Sequence, residues 1–396
     1  MEFFPATMLV GPRQSGKTTL AKKFEEESGM SYASFDEMVN LISVQLDPIQ
    51  FLELLKKPLV LDEIQRAPEI FLPIKVDIDQ NRKAGRYLLT GSANPLLVPK
   101  IGDALTGRMA ISTMWPLSQG EILGKKEKFL DCLFSDVAWS SHYEGCQQEE
   151  LIQKFFRGGF PTLQKGNERQ RKEWCNQYLF LMLQKDINDL SKIEGFSHLP
   201  ALVYGLAARV GSTLNIEELS RITKTASTSV RRYMQLLESL FLLYRLGSWS
   251  LNVDKQLTKS PKLYFSDTAL MLFILNMDED LLRKDPQTLG YVLENFVVME
   301  CVKQCSWSSL SPKLFHYREE KGKNVEVDLV MEAKQKVVGV EIKLSSIVRP
   351  DDLKGLKSLK ETAGKRFHKG IVLYTGSKIL PLGDGLLAVP LSALWS

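Results

Sequence analysis

Residues 6–27 read ATMLVGPRQSGKTTLAKKFEEE, and this stretch decides the class of fold. Ala6 to Val10 is an apolar run of strand length, Gly11 to Thr18 has the spacing G-x-x-x-x-G-K-[ST], and the residues from Leu20 on read as a helix. A strand feeding a glycine-rich loop that opens a helix lets backbone N–H groups converge on phosphate oxygens at the positive end of the helix dipole. Gly11, Pro12, Arg13, Gln14, Ser15, Gly16, Lys17, Thr18 and Thr19 are therefore expected to bind ATP, with Lys17 reaching its β and γ phosphates and Thr18 giving a hydroxyl to Mg²⁺.

Such a loop calls for an acidic partner at the end of another buried strand, and Pro58 to Glu63 reads PLVLDE. Asp62 is expected to hold the metal through its water shell and Glu63 to polarise the attacking water; taken alone, the two acids also fit a helix N-terminus. The next strand, Arg86 to Thr90, runs into Gly91-Ser92-Ala93-Asn94. If it lies between the first two strands, Ser92 or Asn94 reaches the γ-phosphate or the lytic water; an ordinary turn before Pro95 is the other reading. Arg108, just before the strand-like AISTM, is expected to stabilise charge in phosphoryl transfer across a subunit boundary, which implies a homo-oligomer; a surface arginine is the alternative.

The chain has 396 residues, 44% of them hydrophobic and 25% charged, with a net charge of +4, the profile of a globular protein of about two to three domains. No stretch approaches the ~20 uninterrupted apolar residues of a membrane span, and the N-terminus lacks a signal-peptide layout. The five cysteines are scattered and odd in number, as expected for reduced thiols in a cytoplasmic protein. Cys301 and Cys305 lie four apart with His316 beyond a loop, too few ligands for zinc, and read as helix packing.

From Glu168 to Glu194 there is no Pro or Gly, and Leu151 to Ile193 reads as a helical connector around Trp174, Tyr178, Leu181 and Leu183. Pro200 to Phe265 carries nine Lys and Arg against four Asp and Glu. Within it Asn215 is placed as an N-cap with Glu218 three residues on, a helix runs through Ile222, Lys224 to Ala226 turn, and Ser227 or Thr228 opens a second helix through Leu240. Leu246 to Phe265 is expected to be a polar hairpin, completing a winged helix. Lys224 and the outer face of the second helix, with Ser229, Arg231, Arg232 and Gln235, are candidates for DNA contact; a solvated face or a protein-docking element fits the same pattern.

Leu314 to Glu319, Val325 to Met331 and Val337 to Leu344 read as strands joined by turns at Lys321 to Asn324 and Ala333 to Lys336. Alternation puts Glu341 and Lys343 on one face, with Asp328 on the adjacent strand and Glu294 on the preceding helix. The ordered set matches PD-(D/E)xK nucleases, in which Glu294, Asp328 and Glu341 would hold Mg²⁺ and Lys343 would orient or deprotonate water. An ExK triplet arises by chance roughly once in a chain of this length, and such a fold can persist as a binding module.

GPRQSGKT, PLVLDEIQRAP, LLTGSAN, ALTGR and WPLS, followed by RGGFP, TKSPKLYFSDTAL, YVLENFV, EVDLV and VEIK, resemble the predicted AAA-type ATPases of bacteria and archaea. That resemblance covers nearly the whole chain. It implies an AAA-like parallel-sheet domain (1–125), a helical connector (126–195), a winged-helix domain (196–265) and a restriction-endonuclease-like α/β domain (266–396). Only Met1 to Pro5 precede the first strand, where the family usually has a further helical segment, so the adenine side of the pocket is expected to be abbreviated. The function implied is ATP binding and hydrolysis coupled to a DNA-binding or metal-dependent nuclease-like module. The alternative is a nucleotide-dependent switch or scaffold that recruits a protein partner, its nuclease fold silent.

Overall fold

The run ATMLV forms β1 (Ala6–Val10), which lies inside a parallel sheet with β2 (Ser31–Ser34), β3 (Leu59–Asp62), β4 (Tyr87–Gly91) and β5 (Met109–Thr113) in the order β2-β3-β4-β1-β5. This computed structural model describes residues 3–92, 105–135, 139, 143–183, 198–319 and 325–396. The helices between the strands are α1 (Lys17–Ser28), α2 (Met38–Leu46), α3 (Pro48–Leu54) and α4 (Phe71–Gln80). Alternation along β3 sends Leu59 and Leu61 into one apolar layer with Met8, Ile74 and Leu89, and Val60 into the other with Ala21, Met30 and Leu88. Both faces of the sheet are thus covered, as an all-parallel sheet requires. Parallel pairing also brings the carboxyl ends of β1, β3 and β4 to one edge, where ligands bind in such sheets.

Two compact units divide the chain, residues 1–116 with 239–242, and 117–238 with 243–396. The first unit ends at Pro116, and the residues that follow are held within the second. Leu117 N–H donates to the Gly159 carbonyl (2.8 Å), Gln119 N–H to Glu300 (2.8 Å), and Lys303 Nζ to the Leu117 carbonyl (3.0 Å). The Ser118 hydroxyl and the Gly120 N–H donate to the two oxygens of Glu127 (2.6 and 2.8 Å).

Burial, reinforced by the Glu300 charge and opposed by these hydrogen bonds, pushes the Glu127 carboxyl up to about 7. A carboxyl raised on folding contributes stability that is full below its ordinary pKa of 4.5 and is lost as pH rises through 7. The melting temperature of Glu127→Gln, measured against wild type, should therefore improve in relative terms between pH 5 and pH 8. A difference that stays flat across that window would remove Glu127 as the titrating group.

In the second unit α5 (Gln119–Leu123), α6 (Phe129–Phe134), α7 (Gln148–Arg157) and α8 (Glu168–Leu181) come first. The expected connector is thus two helices broken at Gly158, whose φ of +60° and proximity to Asp267 exclude a side chain: a Cβ there would lie 2.4 Å from Asp267 Oδ1. Trp174 and Tyr178 stack with each other and pack on Phe160, whereas Leu181 is exposed; residues 184–194 of that segment lie outside the described residues.

Next come α9 (Leu199–Ala207), α10 (Ile216–Thr223) and α11 (Ser227–Ser239), followed by β6 (Leu243–Leu246) paired antiparallel with β7 (Lys262–Phe265). Asn215 caps α10 by accepting from Glu218 N–H (3.1 Å), and Lys224 takes the left-handed turn, φ +52°, that redirects the chain into α11. The expected polar hairpin instead contains a helix, α12 (Val253–Thr258), capped by Asn252.

After α13 (Thr268–Ile274), α14 (Glu279–Lys284) and the long α15 (Pro286–Gln304) comes a mixed sheet of β8 (Lys313–Glu319), β9 (Val325–Ala333), β10 (Lys336–Lys343), β11 (Phe367–Tyr374), β12 (Leu380–Gly383) and β13 (Leu386–Pro390), with α16 (Lys354–Ala363) before β11. Its order is β12-β13-β11-β10-β9-β8. The β9–β10 turn has Lys334 and Gln335 both at positive φ, the two-residue hairpin geometry; the 321–324 turn lies outside the described residues. Leu356 and Leu359 of α16 pack on Val327, Val337 and Val372, and Gly355 permits the approach, since a Cβ there would meet the Glu326 carbonyl at 1.9 Å.

Candidate functional site

At the carboxyl end of β1 the chain turns back under tight constraint. A Cβ on Gly11 would lie 2.1 Å from the Met114 carbonyl, and Gln14 and Gly16 take positive φ of 60° and 104°. Among the described residues no side chain caps the start of α1, which leaves its first N–H groups for a ligand or solvent. Lys17 is buried with its Nζ on the carbonyls of Gly11 (3.0 Å) and Pro12 (2.7 Å). Desolvation brings this ammonium down to about 8, against the opposing pull of Glu63 and Asp62. The Ser15 hydroxyl is fully buried and has no hydrogen-bond partner among the described residues. A loop with a buried cation and an orphan donor fits a polyanion such as a nucleotide phosphate chain.

Asp62, at the end of β3, is buried beside the loop. It accepts from Thr18 Oγ1 (3.0 and 3.2 Å), from the Tyr32 hydroxyl (2.9 Å) and from the Thr90 hydroxyl. Burial and this carboxylate hold the Tyr32 phenol well above its ordinary pKa. The hydroxyl and carboxylate that meet here are the oxygen ligands Mg²⁺ takes beside a nucleotide, and the residues present fit that ion.

Glu63 adopts φ +56° as the chain leaves β3, its N–H donating to Thr90 Oγ1 (3.0 Å). This turn aims its carboxylate along the sheet edge, where Ser92 Oγ donates to Oε2 (3.1 Å). Gln65 Nε2 donates both to that carboxylate and to Ser92 Oγ (2.9 Å). Because β4 lies between β1 and β3, Ser92 comes to lie beside Glu63 at this edge, while Asn94 lies outside the described residues. Gln65, Tyr32 and Thr90 were not legible as site residues.

Arg108 lies away from this edge. Its carbonyl accepts from Ala6 N–H (3.2 Å), so it sits at the amino end of β1, opposite the phosphate loop of its own domain. Its guanidinium forks onto Asp79 of α4 (2.6 and 3.0 Å).

In the second unit Lys224, Arg231, Arg232 and Gln235 are exposed and Ser229 half-buried, the outward face expected of α11. The carboxylates of the mixed sheet also come together, but around Lys262, one of the nine Lys and Arg between Pro200 and Phe265. Lys262, 1% exposed, donates from Nζ to Glu294 Oε1 (2.8 Å), pairs with Glu326, and lies 3.8 Å from Asp328 Oδ1. Burial alone would lower the Lys262 pKa; the charges of Glu294, Asp328 and Glu326 outweigh it and hold the group protonated. Glu294 also accepts from Tyr264 (2.7 Å), and burial raises its carboxyl to about 7 against the pull of Lys262. Asp328 accepts from Ile342 N–H (2.9 Å), and Lys343 is spent on Glu341 Oε1 (2.7 Å). Among the described residues no group of three or more His, Cys, Asp or Glu is placed to hold a metal. The expected Mg²⁺ ligands Glu294, Asp328 and Glu341 thus do not fit a metal, because an ammonium lies among them.

An AAA domain family model matches residues 4–123, and two domains of unknown function match 148–281 (DUF8612) and 289–394 (DUF4143). Uncharacterized protein Rv2008c of Mycobacterium tuberculosis is 27% identical over 389 residues, 98% of this chain and 80% of that one; Mb2031c of Mycobacterium bovis gives the same figures. An uncharacterized protein of Haemophilus influenzae is 22% identical over 55% of this chain and 51% of its own length. Among solved structures, the Thermotoga maritima RuvB Holliday junction branch migration motor aligns over 61% of this chain and 81% of its own, at 17% identity and a TM-score of 0.27. Protein VC1899 of Vibrio cholerae aligns over 99% and 95%, at 11% identity and a TM-score of 0.22. The N-terminal part of the chain carries a P-loop domain of the AAA type. No helix among the described residues is long and apolar enough to cross a membrane.

Proposed function

We propose that the protein binds and hydrolyses ATP at the carboxyl edge of the first sheet and uses the nucleotide state to switch a second unit that contacts nucleic acid without cutting it. The observation that carries this reading is the meeting of Lys17, Thr18, Asp62, Glu63 and Ser92 at one edge from three strands. Lys17 and the loop N–H groups hold the phosphates, releasing the Gly11 and Pro12 carbonyls that Lys17 now binds. Thr18 and Asp62 hold Mg²⁺, which when bound neutralises charge on the phosphates. Glu63 takes a proton from water, and Ser92 with Gln65 fixes the orientation of its carboxylate. Arg108 enters only through a second copy of the chain, where leaving Asp79 frees its guanidinium for a neighbour's phosphate. Equilibrium titration of the protein with ATP and ADP, with and without Mg²⁺, tests the binding half: saturable uptake strengthened by Mg²⁺ is expected, and none at millimolar nucleotide removes the reading.

For the second unit, the exposed cations of Lys224 and α11 support DNA contact through phosphates, whose signature is affinity falling steeply with salt. Reversing Arg231 and Arg232 to Glu should weaken binding at least tenfold at low salt and flatten the salt dependence, read by fluorescence anisotropy on labelled duplex. Identical isotherms for variant and wild type would leave α11 as a protein-docking element.

A further inference from the structure

Lys262 begins β7, and the rest of that strand is apolar and buried, so its side chain leaves the strand into the interior of the second unit. Three acids from two other elements receive it: Glu294 of α15, and Glu326 and Asp328, which share one face of β9. The cluster is closed on further sides. Tyr264 donates to Glu294, and Gly211, at φ +74°, lies over the same carboxylate so closely that a Cβ would meet Oε2 at 2.9 Å. Asn295 pins the far end of β7 by accepting from Phe265 N–H (2.7 Å) and donating to its carbonyl (3.0 Å). Beside the cluster, Glu341 is nine-tenths buried, with Oε1 on Lys343 and Oε2 without a partner among the described residues.

With Glu341 buried, Glu294 and Asp328 mostly so and Glu326 about a third exposed, carboxylates at this density need a cation nearby, because unpaired charge removed from water is among the costliest arrangements in a fold. A divalent ion is one solution; a tethered ammonium is another.

We propose that Lys262 is the permanent cation of this cluster, a side chain standing where an acidic sheet of this kind would otherwise need a divalent metal, so that the mixed sheet is complete and non-cleaving without one. Lys262 then ties β7 to α15 and β9 by charge, fixing the helix pair's strand on the mixed sheet within the second unit. This goes beyond the proposed ATPase, which it neither requires nor affects.

The test uses the full chain and Mn²⁺ alone, followed by calorimetry and by electron paramagnetic resonance of free Mn²⁺. Wild type and Asp328→Asn should give the same Mn²⁺ isotherm, since no ion enters the cluster. Lys262→Met should melt about 5–10 °C lower, regain part of that loss with millimolar Mn²⁺, and take up one extra equivalent. That equivalent should vanish in Lys262→Met/Asp328→Asn, which separates it from any ion held at Asp62. Lys262→Arg, still a cation, should gain no Mn²⁺. Uptake by wild type that is lost in Asp328→Asn would show the lysine to be displaceable and overturn the proposal, whether or not Lys262→Met folds. A folded Lys262→Met that takes up no extra Mn²⁺ would overturn it too. ATP hydrolysis should be the same in wild type and Lys262→Arg, so a failed ATPase and a failed cation assignment remain distinguishable.

Discussion

Glu63→Gln should bind ATP with near-normal affinity and turn it over about 10²–10⁴ times more slowly, the usual loss when a positioned general base is removed. Glutamine keeps the shape and can still bond Ser92, but it cannot take a proton from water. The neighbours give the assignment a graded signature. Ser92 and Gln65 act through Glu63, and removing one hydrogen bond of this kind costs about 1–1.5 kcal/mol, so Ser92→Ala should slow turnover only about tenfold. Rapid-quench measurement of a single turnover separates this from altered binding. A Glu63→Gln rate equal to wild type would give the proton to another group.

Lys17→Ala should lose at least about a hundredfold in nucleotide affinity, roughly 3 kcal/mol, because a desolvated ammonium facing phosphate has no substitute in the loop. Stability should move differently. In the nucleotide-free protein the buried Lys17 is held down to about 8, so its charged form is a strain on the fold near neutral pH. The variant should melt no lower than wild type, and only the wild type should gain stability from ATP with Mg²⁺. Affinity in wild type should also fall about tenfold from pH 7 to pH 9, since above pH 8 the free lysine is neutral and binding must recharge it. Lys17→Arg, always charged, should show no such fall. Equal ATP affinity in Lys17→Ala and wild type would dissolve the phosphate-loop assignment.

What the sequence made legible was what lies close along the chain. The phosphate loop is eight consecutive residues whose strand and helix flank it directly. The helix pair was legible for the same reason, with Asn215 as cap and Lys224 in the turn, because capping and left-handed turns are decided within four residues. The charges that meet across elements were not. Tyr32 and Thr90 reach Asp62 from neighbouring strands, and Gln65 reaches Ser92 across a 3₁₀ turn, so strand order had to be known first. Arg108 follows Ser92 in sequence yet stands at the opposite end of the sheet, since it immediately precedes β5, which runs parallel to β1. Lys262 was one of the nine Lys and Arg between Pro200 and Phe265; its one local signal was a lysine opening the apolar strand KLYF, and only the fold shows three acids converging on it.

The most direct test of ATP hydrolysis at this edge is phosphate release from ATP by the full-length wild-type chain, with Lys17→Ala and Glu63→Gln prepared alongside as blanks. Mg²⁺-dependent release that is at least a hundredfold above both variants is the expected result. Release at the same rate in all three preparations, or none from a wild-type protein shown to bind ATP with Mg²⁺ and supplied with duplex DNA, would contradict it.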